Sequence, residues 1–313
     1  MILKPPPLAP GDTIAVVAPG SAPPLPEKLE KGIEQLEVRG FRVEKGRSTY
    51  DPCGYLCGTD EDRIDELNGF LRRDDVQGIF CIRGGFGALR ILPHLDYEAA
   101  RKHPKLIVGY SDVTALHLAF YARIGLTSVA GPMVAVEWPE PDPATEKFFW
   151  DLVGGVAPNP LLGPNGEPLQ PIRPGEAVGR LIGGNLTLIT RLIGTPYLPN
   201  LRGEILFLEE VGEEPYRIDG MLAQLKLTGI LDQLGGMIFG GITEWEPKED
   251  RPTLSLDEVI DFYTNDLPYP VARGLTFGHF PVKSSIPIGV RARLAVNSDT
   301  AVLSILEPVV ANQ

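Results

Sequence analysis

The chain has 313 residues, 43% of them hydrophobic and 22% charged, which is enough to bury one large core or two ordinary ones. Asp and Glu number 41 against 29 Lys and Arg, a net charge of −12, and no local basic run offsets that total, which excludes a nucleic-acid-binding face. A Lys/Arg-rich amphipathic segment and a run of 18 apolar residues are both missing, so neither a membrane-surface helix nor a bilayer span is expected.

The opening Met1-Ile-Leu-Lys-Pro-Pro-Pro has no apolar stretch before its prolines and does not read as a signal peptide. Pro10-Gly-Asp12 is a turn, and Thr13 to Ala18 a short buried strand. The loop Pro19-Gly-Ser-Ala-Pro23 follows it, but the Gly-x-Gly-x-x-Gly of a dinucleotide site is missing and the prolines remove donors. Leu29, Ile33 and Leu36 mark a helix, and Phe41 to Val43 the next strand. Thr59-Asp-Glu-Asp62 reads as a helix start, followed by Ile64, Leu67 and Phe70 on one face. Gln77 to Ile82 is a central strand running straight into Arg83-Gly-Gly-Phe-Gly87. Glycines there cost chain entropy, and they make sense either as a plain tight turn or where backbone approaches a ligand and N–H groups converge on an anion.

Leu106 to Val108 is an apolar run suited to a buried parallel strand, and Val113, Leu116, Ala119 and Phe120 have helical spacing. Between them lies Gly109-Tyr-Ser-Asp112. Ser111 or Asp112 caps the helix, or Ser111 is a nucleophile on a strand-to-helix elbow with the Asp112 N–H facing a developing oxyanion. The strand–helix alternation up to residue 120 implies an open α/β sheet. Lys147 to Val153 is a short helix, and the proline- and glycine-rich 157–175 stretch reads as a linker between units 1–156 and 176–313. In the second unit, Gly179 to Ile182 is a strand, Gly183-Gly184 a turn, and Asn185 the cap of a helix over Leu186 to Ile193. Gly203 to Leu208 is a nearly continuous apolar strand ending in Glu209-Glu210, Pro215 to Leu227 a helix, and Leu234 to Phe239 a strand. Leu256 to Phe262 is a helix and Val271 to Leu275 a strand, with Gly278-His279-Phe280 beyond it. Arg291 to Val296 and Ala301 to Leu306 alternate as two strands paired through the Asn297-Ser-Asp299 turn.

Cys53, Cys57 and Cys81 form an odd set without Cys-x-x-Cys spacing and read as reduced thiols of a cytoplasmic protein. With four histidines and no His-Glu-x-x-His, no metal site and no cofactor are expected. A Ser111 nucleophile needs a base, which at neutral pH is most often histidine. His103 sits at the entry side of the Ser111 strand, His117 six residues along the following helix, and His94 beside a proline, which leaves His279 the best placed by context. Glu209 ends the apolar strand and is a candidate to hold the imidazole, while Glu210 points the other way by the period of a strand. The alternative is that both acids are solvated at a strand end. Arg83 starts the glycine loop and is a candidate for a bidentate grip on a carboxylate, with Gly84 beside it, or it is a surface arginine.

These motifs resemble the LD-carboxypeptidase family, the S66 serine peptidases. The resemblance runs over nearly the whole chain: Pro10-Gly-Asp-x-Ile-x-Val-x-Ala-Pro19, Gly58-Thr-Asp60, Arg83-Gly-Gly-Phe-Gly87, Gly109-Tyr-Ser-Asp112, Gly183-Gly-Asn185, Ile205 to Glu210, Pro215-Tyr-Arg-Ile-Asp219 and Gly278-His279. It implies Ser111 as nucleophile, Glu209 and His279 as its partners, and an oxyanion hole from the N–H groups of Asp112 and Gly85. It implies an N-terminal open parallel α/β nucleophile domain of the class I glutamine amidotransferase kind, a smaller β-rich C-terminal domain, and a homodimer. The implied reaction is removal of terminal D-alanine from a muropeptide or free tetrapeptide during cytoplasmic cell-wall recycling. Two other readings are a microcin C-type immunity peptidase cleaving a peptidyl-nucleotide amide, with Trp138 or Trp245 as base platform, and a non-catalytic binding protein on the same frame. The Phe280-Pro-Val282 continuation after His279 is only loosely family-like.

Overall fold

A computed structural model describes residues 2–23, 25–246 and 252–312. In chain order the first half contains β1 (Thr13–Val17), α1 (Pro26–Val38), β2 (Arg42–Lys45), a small hairpin of β3 (Pro52–Cys53) and β4 (Leu56–Cys57), α2 (Asp60–Arg72), β5 (Gly78–Cys81), α3 (Ala88–Ile91), α4 (Tyr97–Lys102), β6 (Leu106–Gly109), α5 (Thr114–Ile124), β7 (Ser128–Ala130) and α6 (Pro143–Val153). The second half adds β8 (Gln170–Arg173), β9 (Gly175–Asn185), α7 (Leu186–Leu192), β10 (Ile205–Val211), α8 (Pro215–Leu227), β11 (Gly236–Thr243), α9 (Leu256–Thr264), β12 (Val271–Arg273), β13 (Ile286–Ile288), β14 (Arg291–Val296) and β15 (Ala301–Ile305).

Local chemistry accounts for the helix ends. Thr59 and Asp62 form a reciprocal capping box at the start of α2, and three acids fill its first turn. Asp142 accepts from the N–H groups of Ala144 and Thr145, with Pro143 as the first residue of α6. Gly125, at φ +73, ends α5 in the left-handed conformation.

The first sheet has the order β13-β7-β6-β5-β1-β2. Strands β2, β1, β5, β6 and β7 are mutually parallel, and their residues are buried except along the β2 edge. Chain order reverses between β1 and β5, so the loops after these strands splay into a crevice at the carboxyl edge, where such sheets bind ligands. The sixth strand, β13, comes from the second half and runs antiparallel to β7. No sequence signal marks Ile286–Ile288 as part of this sheet.

The second sheet, β15-β14-β9-β10-β11-β12-β8, is parallel from β9 to β12 and antiparallel at both flanks. The tail strands pair through Val296 and Ala301 as expected. Gly183-Gly184, expected as a turn, instead lies inside β9, because the α-carbon of Gly183 packs directly on the Phe207 carbonyl of β10 and leaves no room for a side chain. The 157–175 stretch is not a bare tether: it contains β8, and Leu161 N–H donates to Leu303 at 2.7 Å while Ile305 N–H donates to Pro158 at 3.1 Å. Between the sheets lies α5, packed on β9 and α7, so Thr114 through Phe120 are all buried. Among the described residues no helix is long and apolar enough to cross a membrane.

Candidate active site

Ser111 stands just past the carboxyl end of β6, at φ +64, one of two described non-glycine residues with positive φ. A left-handed serine costs about 1–3 kcal/mol and persists where its surroundings impose it. The sharp joint, a single 3₁₀ turn over Ser111–Val113 leading into α5, is the strand-to-helix elbow expected from Gly109-Tyr-Ser-Asp112. The capping alternative does not hold: neither Ser111 nor Asp112 caps α5. Instead the buried Asp112 carboxylate accepts from the Ala88 N–H at 2.9 Å, fastening the elbow to the end of the glycine loop. Burial pushes the Asp112 carboxyl up to about 6, against the Ala88 N–H and the nearby Arg63 and Arg191, which pull it down.

His279 reaches Ser111 from the other half. It sits on the strap 274–285, which leaves the second sheet at β12 and enters the first at β13. Its Nε2 lies 3.2 Å from Ser111 Oγ, and its Nδ1 lies 2.9 Å from Glu209 Oε2. A carboxylate only accepts, so Nδ1 carries the proton and Nε2 presents its lone pair to the serine hydroxyl. Glu209 is fully buried at the end of β10, and its Oε1 has no hydrogen-bond partner among the described residues. The expectation that Glu209 and Glu210 face different ways holds, but neither is solvated. A register shift between Leu208 and Glu210 on the β11 side accompanies their burial. Glu210 accepts from Asn185 Nδ2, Thr187 N–H and Val211 N–H at 2.9, 2.8 and 2.9 Å, binding β10 to the start of α7.

The other histidines lie elsewhere. His117 is buried, its Nε2–H donating to the Gly109 carbonyl and its Nδ1 accepting from Ser128, both at 2.8 Å. Desolvation pushes it down to about 4, so it is a neutral strut behind the elbow. His94 is exposed, and His103 is half-buried before β6.

Three loops meet at the carboxyl edge, after β1, β5 and β6. A Cβ on Gly84 would fall 2.8 Å from Ser111 Cβ and 3.2 Å from Asp112 N, so only glycine allows this approach. Gly85, at φ +94, faces Ser21, whose N–H donates to Gly84 O at 3.2 Å and whose Oγ accepts from Phe86 N–H at 3.1 Å. Arg83 is half-buried, donates to Ala22 O at 3.3 Å, and has no carboxylate partner among the described residues. Trp138 does not serve as a base platform: it is 1% exposed and packs edge-on against Phe149, 5.4 Å between centroids. Trp245 is half-buried against the core.

Sequence reading missed a buried polar group behind the histidine. Lys283 Nζ donates to Glu137 Oε1 at 2.6 Å, Tyr110 Oη donates to the same oxygen at 2.8 Å, and the Lys283 ammonium stands 3.8 Å from the Tyr110 ring centroid. Nothing in Pro281-Val-Lys-Ser-Ser-Ile286 signals burial of the lysine. Tyr110, next to Ser111, was the one available clue.

A serine hydroxyl, an imidazole and a buried carboxylate in line can carry out nucleophilic acyl transfer. The sequence matches the profile of the LD-carboxypeptidase N-terminal domain over residues 14–131 and that of the LD-carboxypeptidase C-terminal domain over 178–294. A probable murein peptide carboxypeptidase of Bacillus subtilis is 37% identical over 302 residues, 96% of this chain and 94% of its own. The solved muramoyltetrapeptide carboxypeptidase of Oxalobacter formigenes superposes with a TM-score of 0.83 at 28% identity, covering 94% of this chain and 98% of its own. The wild-type microcin C7 self-immunity protein MccF, a protein of Escherichia coli, superposes with a TM-score of 0.86 at 26% identity, covering 99% of this chain and 100% of its own. The nucleophile-elbow fold and the in-line serine, histidine and glutamate thus sit in a chain matched in both halves, and the chain belongs to the LD-carboxypeptidase family of serine-type peptidases.

Proposed function

We propose that the protein removes the terminal D-alanine from muropeptide or free tetrapeptides, cutting an L,D-peptide bond in the cytoplasmic recycling of cell wall. The observation that carries this reading is the continuous chain Ser111 Oγ, His279 Nε2, His279 Nδ1, Glu209 Oε2, at 3.2 and 2.9 Å. In this reading the unit 1–156 supplies the nucleophile and 176–313 the acid and base. Ser111 attacks the carbonyl before D-alanine while His279 takes its proton, and Glu209 stabilises the imidazolium. His279 then returns the proton to the departing amine of D-alanine, and water, activated by the same imidazole, releases the shortened peptide from Ser111.

The Asp112 and Gly85 N–H groups are assigned to the oxyanion. In support, the Gly84 carbonyl turns toward Ser21 on the β1 side, and a trans peptide directs the Gly85 N–H the opposite way, toward the β6 side where Ser111 lies. Arg83, with Gly84, takes the free carboxylate of the substrate, in keeping with its lack of a carboxylate partner among the described residues. Self-association into a homodimer belongs to the same reading and is read by sedimentation velocity.

The relatives named as murein and muramoyltetrapeptide carboxypeptidases favour this substrate. The MccF resemblance supports a second one: a solved complex of that protein holds aspartyl sulfamoyl adenosine. The burial of Trp138 removes one of the two aromatic platforms such a ligand would use here. The test is chromatographic release of free D-alanine with chelator present. Wild type is expected to act on a tetrapeptide and spare a pentapeptide ending in D-Ala-D-Ala, and Ser111→Ala is expected to be inactive. Full activity of Ser111→Ala would refute the serine mechanism. Hydrolysis of a peptidyl-nucleotide amide with no release from tetrapeptide would replace the substrate.

A further inference from the structure

The strap that carries His279 joins the two sheets, and its ends are closed on each other by Ser284 N–H donating to Thr276 O at 2.7 Å. Four residues after His279 it buries a lysine. Lys283 is 0% exposed, its N–H donates to Thr145 Oγ1 of α6 at 3.0 Å, and its ammonium donates to Glu137 Oε1 at 2.6 Å. Glu137 belongs to the first half and is itself held, since its Oε2 accepts from Met133 N–H at 2.8 Å. Tyr110 completes the group. Its hydroxyl donates to Glu137 at 2.8 Å, its ring centroid lies 3.8 Å from the Lys283 ammonium, and the His279 ring stands edge-on to it at 5.2 Å between centroids. The residue after Tyr110 in the chain is Ser111.

A buried ion pair contributes little net stability over an apolar pair of the same shape, so such pairs are weak evidence of a stabilising device. This one has a specific geometry. One member lies on the strap of the proposed base, the other on the half that carries the proposed nucleophile, and the tyrosine between them touches both the serine's backbone and the imidazole. Desolvation lowers the Lys283 pKa while Glu137 and, more weakly, Glu209 raise it.

We propose that Lys283, Glu137 and Tyr110 are positioning residues that set the His279 Nε2 to Ser111 Oγ approach by pinning the strap to the serine half. The inference rests on the triad reading and deepens it. Misplacing a base by about 1 Å costs on the order of 10²-fold in rate without weakening substrate binding. The pair therefore acts on kcat and on serine acylation, and leaves KM alone.

The experiment compares wild type, Ser111→Ala and the double variant Lys283→Met/Glu137→Gln, which removes both charges while keeping side-chain length. Each is assayed for kcat and KM on a muropeptide tetrapeptide and for the rate of labelling by a fluorophosphonate probe. The double variant is expected to lose about 10–100-fold in kcat and in labelling rate, with KM within about twofold. If it does not stay folded at the assay temperature, Glu137→Gln alone is read by the same criteria, with a smaller loss of at least about fivefold expected. A double variant, or in its place Glu137→Gln, with wild-type kcat and labelling overturns the inference while the triad reading stands. Activity or labelling surviving in Ser111→Ala overturns both, so the two failures are told apart by the control.

Discussion

Asp112 is the residue whose side chain and backbone do different things. Its carboxylate ties the elbow to the glycine loop through Ala88, and burial holds its carboxyl up at about 6, against about 4 for an exposed aspartate. The folded chain therefore binds this proton more tightly than the unfolded chain does between pH 4 and 6. The stability it confers is present below that window and is lost as pH rises through 6, by up to about 3 kcal/mol. Asp112→Asn keeps an acceptor for Ala88 and removes the charge. Its urea midpoint is expected to exceed that of wild type at pH 8 and to match it at pH 4. A gain that is the same at both pH values would show that the carboxylate is not the cause. Asp112→Ala instead leaves the Ala88 N–H without its partner and frees the loop beside Ser111, and kcat is expected to fall about tenfold or more. Sequence made Ser111 and Asp112 candidates but could not choose between cap and nucleophile. The φ of Ser111 and the Ala88 N–H that Asp112 accepts rule out the cap, while the nucleophile rests on the family resemblance.

At the scale of elements, the end of β10 is the most demanding piece of backbone in the protein. Two consecutive glutamates are buried there, Glu209 facing the histidine and Glu210 gathering three donors from β9's end, α7 and its own strand. Glu210→Ala leaves those donors unpaired in the interior, and it is expected to destabilise the protein by about 3 kcal/mol in urea unfolding monitored by circular dichroism. Glu210→Gln, which keeps an acceptor, is expected to cost less than half of that. Equal costs for the two variants would mean that packing, and not hydrogen bonding, holds the β10 end. The apolar run Ile205 to Leu208 made a buried strand legible in the sequence. The burial of both acids was not legible, because a period of two exposes one of every two neighbours until a register shift and a second half cover both.

For the whole molecule the decisive feature is the exchange of β13. The first sheet is completed by Ile286–Ile288 from the second half, and the segment before it holds His279 against Ser111. Without that strand residues 1–156 would expose the edge of β7, an unpaired row of backbone groups. Residues 1–156 expressed alone are expected to aggregate. The full chain is expected to unfold in urea as one transition, with tryptophan emission and far-ultraviolet circular dichroism superimposed. Trp138 and Trp150 report on the first half, so an early fluorescence transition ahead of the dichroism would disprove the coupling.

Periodicity and turn chemistry determined by themselves most of the local structure here. The buried strands, the capped helices and the glycine loop are short-range consequences of side-chain spacing, caps and backbone freedom, and the order of the motifs carried the family. What only the tertiary structure decided is long-range. Glu209 and Ser111 are brought to one imidazole from positions 70 and 168 residues away from His279. A lysine followed by two serines becomes buried because Glu137 and Tyr110 of the other half await it. Two glycines that read as a turn become a strand because the Phe207 carbonyl and the Thr114 side chain take the space beside them. Each of these depends on a partner distant in the chain, and local sequence does not encode which distant surface will be opposite.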